Sequence, residues 1–466
     1  MTRTKEENKD MTGGSLWKKI ILFSLPLIAS NVLQVLFNMS DIAVVGKFAG
    51  EIALGAVGST TTIVALFTGF LIGMGGGVNA LAARYYGAQQ YKELSKNNHT
   101  AVIICTLTGV ALTVLGAGSA HAVLKLLKTQ NAFLDGATLY LRIYFLCMPA
   151  TAIYNFGNAV FSAAGNTKKP LLFLLIAGVI NVALNLLFVI VFRLDVAGVA
   201  IASVISQYVS AFLILFSLFR AQPPYRMRFS ELRIYTDKAR DILSLGFSSG
   251  IQAAIFQLAN LFTQVGVNSF DEIMVEGNSA AATADTLVYD TMAAFNVACT
   301  SFVGQNYGMN KKKRVLHSYF VALFYSFAAG LILGLLLVFN GKSFLSLFAK
   351  EPNVIEAGMK RLTLMGLAYW ISAFMDVTIS ASRGLGKSTV PTVIVILGSC
   401  IFRIIWIYTV FAYFKTITSL YLLYPCSWTI TAIAEIVYFI TTYKKISAIP
   451  PQNQPLTETA ASDKSK

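Results

Sequence analysis

The chain has 466 residues, 56% hydrophobic and only 13% charged, with mean hydropathy +0.64. That charge content is roughly half the ~25% of soluble domains, which excludes an ordinary soluble fold and indicates a polytopic membrane protein. The net charge of +15 would suit nucleic acid, but the placement of the basic residues, given below, makes it an orientation signal instead.

Long apolar runs without period-2 alternation favour helices over a barrel. They predict twelve spans, starting near residues 16, 52, 95, 136, 169, 196, 242, 276, 315, 355, 389 and 418. The first apolar run is long enough to span and leads into further spans, so it is not read as a cleavable signal.

The first span carries Pro26, which removes one backbone hydrogen bond. A bend there would move the end of the helix that carries Asp41. Asn31, Gln34, Asn38 and Asp41 are spaced three, four and three apart, one face of a helix. A carboxylate beside hydrocarbon is expensive and faces a partner, water or an ion path. Alternatively, Asp41 caps the span at the outer interface. Asn181 and Asn185 share a face of the fifth span, and Ser203 and Ser206 lie on the sixth. With Asp41 they would form a polar pocket for a hard monovalent cation such as Na+, or for a proton.

A basic stretch, residues 220–241, separates two lobes, 16–219 and 242–443, flanked by tails 1–15 and 444–466. The tail from Pro450 is polar and is expected to be disordered. In the second lobe, Gln257, Asn260, Gln264 and Asn268 stripe the seventh span. Asp285 and Tyr289 share a face of the eighth, beside Asp290. Tyr369, Ser372, Asp376 and Ser380 stripe the tenth. Gln34, Asn38, Gln257, Asp285, Tyr289 and Asp376 are the expected substrate contacts. Arg403, central in the eleventh span, needs a counter-charge, with Asp376 or Glu435 as the expected supplier. The 33 Phe and 20 Tyr suit lipophilic cations, although most would face lipid or pack between helices.

The even-numbered loops and the tails hold most basic residues, including Lys168, Lys169 and Lys311 to Arg314. The positive-inside rule therefore puts both termini in the cytoplasm. The halves repeat at an offset of 221: Tyr86-Gly87 matches Tyr307-Gly308, and Gly165 to Pro170 matches Gly386 to Pro391. Six spans per half make the repeat parallel, with substrate expected between or within the lobes. The five cysteines and three histidines are scattered and suggest no metal centre. No Walker A loop or nucleophile elbow occurs, so no enzyme and no cofactor is expected, and ATP hydrolysis in this chain is not the energy source.

Three stretches carry a family resemblance: Ser24-Leu-Pro26 with Asn38 to Gly46, Phe302 to Gly308 with its counterpart at Tyr85 to Gly87, and Ser382 to Lys387 with Pro391. Together they resemble the multidrug and toxic compound extrusion (MATE) family, nearest the bacterial DinF-like and MepA-like branch, over residues 16 to 443. The resemblance implies twelve helices in two lobes around a cleft, and export of organic cations driven by inward proton or sodium flow. It implies that Asp41 is the acidic coupling residue, that Asn181 and Ser203 are its polar neighbours, and that Asp376 is the acidic position of the second lobe. Many relatives are acidic where this chain has Asn185, and some sodium-coupled members have glutamate where it has Gln257. Both departures favour proton coupling.

The expectation is a monomeric antiporter of the bacterial inner or plasma membrane. It would export small organic cations for protons by rocking of the lobes, with the lipid bilayer as partner and no nucleic acid. A lipid or glycan-lipid flippase of the same superfamily is the alternative, and an uncoupled receptor or channel a third reading.

Overall fold

A computed structural model describes residues 11–448. The expectation for the tail from Pro450 lies outside the described residues. Twelve helical segments follow in chain order: α1 Leu16–Phe48, α2 Glu51–Gly87, α3 Tyr91–Leu126, α4 Asn131–Ala163, α5 Lys168–Val191, α6 Asp195–Phe219, α7 Thr236–Val267, α8 Glu272–Gly308, α9 Lys312–Leu345, α10 in two pieces Pro352–Gly366 and Tyr369–Gly384, α11 Thr389–Phe414 and α12 Ile417–Ala448. Ten of the unbroken helices are long and apolar enough to cross a membrane, and the two pieces of α10, bent by 49°, qualify as one further span. The exception is α8, whose 37 residues include Glu272, Glu276, Asp285 and Asp290.

Each helix begins at the predicted residue or a few residues earlier. The largest difference is at α7, six residues before the expected start (242 − 236). Its first turns contain Asp237, Lys238, Arg240 and Asp241, so hydropathy hid a helix start inside the stretch read as linker. At the other end, α12 continues to Ala448, past the expected start of the tail.

The repeat holds at the level of single helix boundaries. α2 and α8, α3 and α9, α4 and α10, and α5 and α11 begin 221 residues apart (272 − 51, 312 − 91, 352 − 131, 389 − 168). The turn glycines Gly165 and Gly386, also 221 apart, have φ of 79° and 80°, a left-handed conformation open to glycine at little cost. The break in α10 answers a short 3-10 turn, Phe145–Cys147, within α4.

Contacts divide the chain into two compact units. The N-unit is Ala29–Ala253; the C-unit takes the residues up to Ile28 and those from Ala254 onward. The division falls two residues after Pro26, within α1, which continues through this proline as one helix. Before it, Leu16, Ile20, Phe23 and Leu27 recur at helical spacing and are buried against Ala294, Phe295, Ala298 and Phe302 of α8. Phe23 meets Phe302 edge to face at 5.6 Å. Met11, expected in a free tail, is buried in the same cluster. Its carbonyl accepts from Arg314, while Lys311 Nζ donates to the Thr12 carbonyl at 2.8 Å.

Candidate ion and substrate sites

In the N-unit, α1, α5 and α6 converge on Asp41. Asn185 Nδ2 donates to Asp41 Oδ1 at 2.5 Å, and Ser203 Oγ to Asp41 Oδ2 at 3.5 Å. Asn181 closes the circle, donating to Ser203 Oγ at 3.4 Å and accepting from Asn185 at 3.3 Å. Ser206 turns to the Ser203 carbonyl at 3.0 Å and stays outside the circle. The four predicted coupling residues thus form one hydrogen-bonded group.

This approach depends on a glycine. A Cβ on Gly178 of α5 would collide with the ring of Phe37, one turn before Asp41 on α1. Its absence lets α1 lie close enough for Asp41 to reach α5. Beyond Asn185, α5 ends in a π-helical turn, Leu187–Val191, a local widening often found at functional sites.

Among the described residues the partners of Asp41 are neutral: two hydrogen bonds and no ion pair. Asn185 is fully buried (0% exposed), and its Oδ1 has no hydrogen-bond partner among the described residues. An unsatisfied carbonyl oxygen beside a carboxylate and a hydroxyl is a donor set suited to a small hard cation. Among the described residues there is no cluster of three or more His, Cys, Asp or Glu for a multivalent metal. Tyr140 and Tyr144 of α4 are close enough to Asp41 to interact electrostatically, and their rings stack at 5.7 Å. Sequence reading missed this pair; two tyrosines four apart on an apolar span were the available signal.

Gln34 and Asn38 lie exposed on the stripe that leads to Asp41. In the C-unit, Gln257 is half-buried. Asp285 and Tyr289 share a helix face but have different partners. Asp285 forms an ion pair with Arg361 at 2.5 Å and accepts from the Tyr369 hydroxyl. Arg361 also donates to Asn278 Oδ1 at 2.7 Å, and its guanidinium lies 5.4 Å from the Tyr421 ring centroid. Tyr289 instead hydrogen-bonds Asp376 and Ser372. The predicted substrate set is therefore split into a closed ion-pair network around Asp285 and a Tyr289–Asp376 pair. Arg361 was not singled out by sequence.

Of the two counter-charges expected for Arg403, Asp376 interacts with it electrostatically. Arg403, 2% exposed, donates to Asn260 Oδ1 at 2.9 Å and Ser427 Oγ at 3.2 Å and lies 4.7 Å from the Tyr424 ring centroid. It makes no ion-pair contact among the described residues; neutral oxygens and an aromatic face take its direct contacts, and Asp376 acts on it from farther away.

Two helical halves that repeat the same helix order, each burying polar groups among apolar spans, define a multi-span membrane fold. The MatE family model matches residues 26–187 and 249–409, and the chain belongs to the MATE family of membrane transporters. It is 28% identical over 361 residues to probable multidrug resistance protein YpnP of Bacillus subtilis, covering 77% of this chain and 80% of that one. It is 21% identical over 336 residues to DNA damage-inducible protein F of Escherichia coli, covering 71% and 72%. Among solved structures, the outward-facing conformation of a multidrug resistance MATE family transporter matches with TM-score 0.86 at 19% identity, covering 94% of this chain and 98% of that one.

Proposed function

We propose that the protein is a secondary active multidrug efflux antiporter of the bacterial inner membrane, working as a monomer with both termini in the cytoplasm. It exports organic cations in exchange for inward protons, by alternating access, with Asp41 as the coupling carboxylate. The observation that carries this reading is the Asp41 carboxylate held by Asn185 and Ser203 with no basic partner. A membrane carboxylate of this kind is available to a mobile cation or a proton. The relatives named as multidrug resistance proteins support the substrate class.

The proton is favoured over Na+ because Asn185 leaves Asp41 as the one carboxylate of its group. For coupling, the ion must bind the alternating states unequally; equal binding shifts nothing. Neutralising Asp41 would loosen its bonds to α5 and α6, changing how α1 packs beyond Pro26. Sodium coupling is the second choice, favoured by the free Asn185 Oδ1 beside Asp41. A flippase reading draws on Arg403, a buried cation that makes no ion-pair contact among the described residues and would suit an anionic headgroup.

The test is ethidium transport in proteoliposomes with proton and sodium gradients imposed separately, alongside Asp41→Asn. Transport driven by the proton gradient alone and abolished in the variant is the expected result. Sodium-driven transport reassigns the ion, and no transport by folded protein under either gradient overturns the antiporter.

A further inference from the structure

Glu435 lies near the middle of α12, 18 residues after its start (435 − 417) and 13 before its end (448 − 435). It is 0% exposed, and neither carboxyl oxygen has a hydrogen-bond partner among the described residues. The other acidic residues singled out in the C-unit are served differently. Asp285 has Arg361 and Tyr369, and Asp376 has Tyr289.

Glu435 sits where α12 packs against α10 and α11. Arg383, at the end of α10, interacts electrostatically with both Glu435 and Asp376. From α11, Ser399 faces α12, and Arg403, one turn on, is bound to Asn260 and Ser427. From α9, the Tyr319 ring packs at 4.7 Å on Phe439, one turn beyond Glu435 on α12. On α12 itself, Ser427, Thr431 and Glu435 repeat every four residues and share a face. Thr431 Oγ1 is 2.9 Å from Ser399 Oγ, so a line of hydroxyls ends one helical turn from the carboxyl.

A charge at this position would lack the donors that replace its lost hydration. Attraction to Arg383 without a hydrogen bond is weak compensation for desolvation. A bound proton removes the charge and leaves the packing intact, so a proton is the ligand this geometry takes. We propose that Glu435 is a second proton-binding carboxyl, loaded and unloaded during transport, with Arg383 as the counter-charge of its deprotonated form. On loading, an O–H bond forms between a carboxylate oxygen and a proton from water; on unloading, that bond breaks and the proton returns to water. No electrons are exchanged. The inference rests on the proton-coupled reading above and adds a site on a different helix.

The experiment compares full-length wild type, Asp41→Asn and Glu435→Gln in lipid nanodiscs by infrared difference spectroscopy across a pH titration, in H2O and D2O. The expected result is a carboxylic-acid C=O band that shifts in D2O, persists in Asp41→Asn and disappears in Glu435→Gln. In proteoliposomes, Glu435→Gln is expected to move fewer protons per ethidium than wild type. If Glu435→Gln does not fold, Glu435→Asp replaces it, and the same band is expected at a displaced frequency. A spectrum and a proton count that Glu435→Gln leaves unchanged overturn the proposal. Wild type that fails to transport ethidium overturns the antiporter reading instead, and the band still decides whether Glu435 binds a proton.

Discussion

Asn185 donates to Asp41, 144 positions earlier in the sequence, and the 2.5 Å bond joins the fifth helix to the first. Hydrogen bonds to charged groups contribute about 1.5–3 kcal/mol, roughly a tenfold to hundredfold effect on an equilibrium. Asn185→Ala is expected to lower proton-driven ethidium transport by about tenfold or more at limiting gradient. Asn185→Asp, which adds a second carboxylate, is expected to make transport respond to sodium. Gradient-dependent uptake in proteoliposomes measures both, and wild-type behaviour of Asn185→Ala would remove Asn185 from the coupling group.

Gly178 predicts a steric result with a built-in rescue. Gly178→Val places a branched side chain against Phe37, and overpacking of this kind costs about 1–3 kcal/mol. Lower thermal stability in detergent and loss of transport are expected together. Adding Phe37→Ala should recover part of both, because it removes the opposing ring. A single variant as stable and active as wild type would show that α1 and α5 do not need this approach.

Asp285 and Arg361 predict an asymmetric mutant cycle. Breaking a buried ion pair from one side leaves an uncompensated charge and costs about 3–5 kcal/mol. Asp285→Leu and Arg361→Met should each lower the unfolding temperature markedly, while the double variant recovers most of the loss. The KM for ethidium should be unchanged in the double variant. A large KM increase there, with stability restored, would return Asp285 to the substrate site.

Tyr289 and Asp376 predict a binding effect. Tyr289→Phe removes the hydroxyl that bonds Asp376 and Ser372. A loss of about 1 kcal/mol, roughly fivefold, is expected in the apparent KM for ethidium, with the maximal rate nearly unchanged. Transport kinetics in proteoliposomes decide this, and an unaltered KM would place the pair outside substrate recognition.

Much of this architecture was legible because hydrocarbon imposes simple demands. Apolar length marked the helices, and the glycine landmarks marked the repeat. The Asp41 group was readable because Asn181 and Asn185 share a helix face and few other polar groups compete within those spans. Three features were not. Charged residues concealed the first turns of α7, since hydropathy sees Lys238 and Asp241 but not the helix that holds them. Arg361 was passed over because Glu356 and Lys360 stand in the same piece of helix and nothing in the sequence separates the buried cation from its charged neighbours. The direct partners of Arg403 were hidden because sequence shows opposite charges but not distance: Asn260 and Ser427 take the contacts, and Asp376 acts from farther away.

The shared helix boundaries carry a quantitative consequence. At the offset of 221, which aligns α5 with α11 and α4 with α10, Asn181 and Asn185 correspond to Phe402 and Trp406, while Arg361 corresponds to Tyr140. Duplication therefore preserved the scaffold and left its interior chemistry in single copy. Titration of the Asp41 locus should follow a one-site isotherm without cooperativity, however symmetric the backbone that surrounds it.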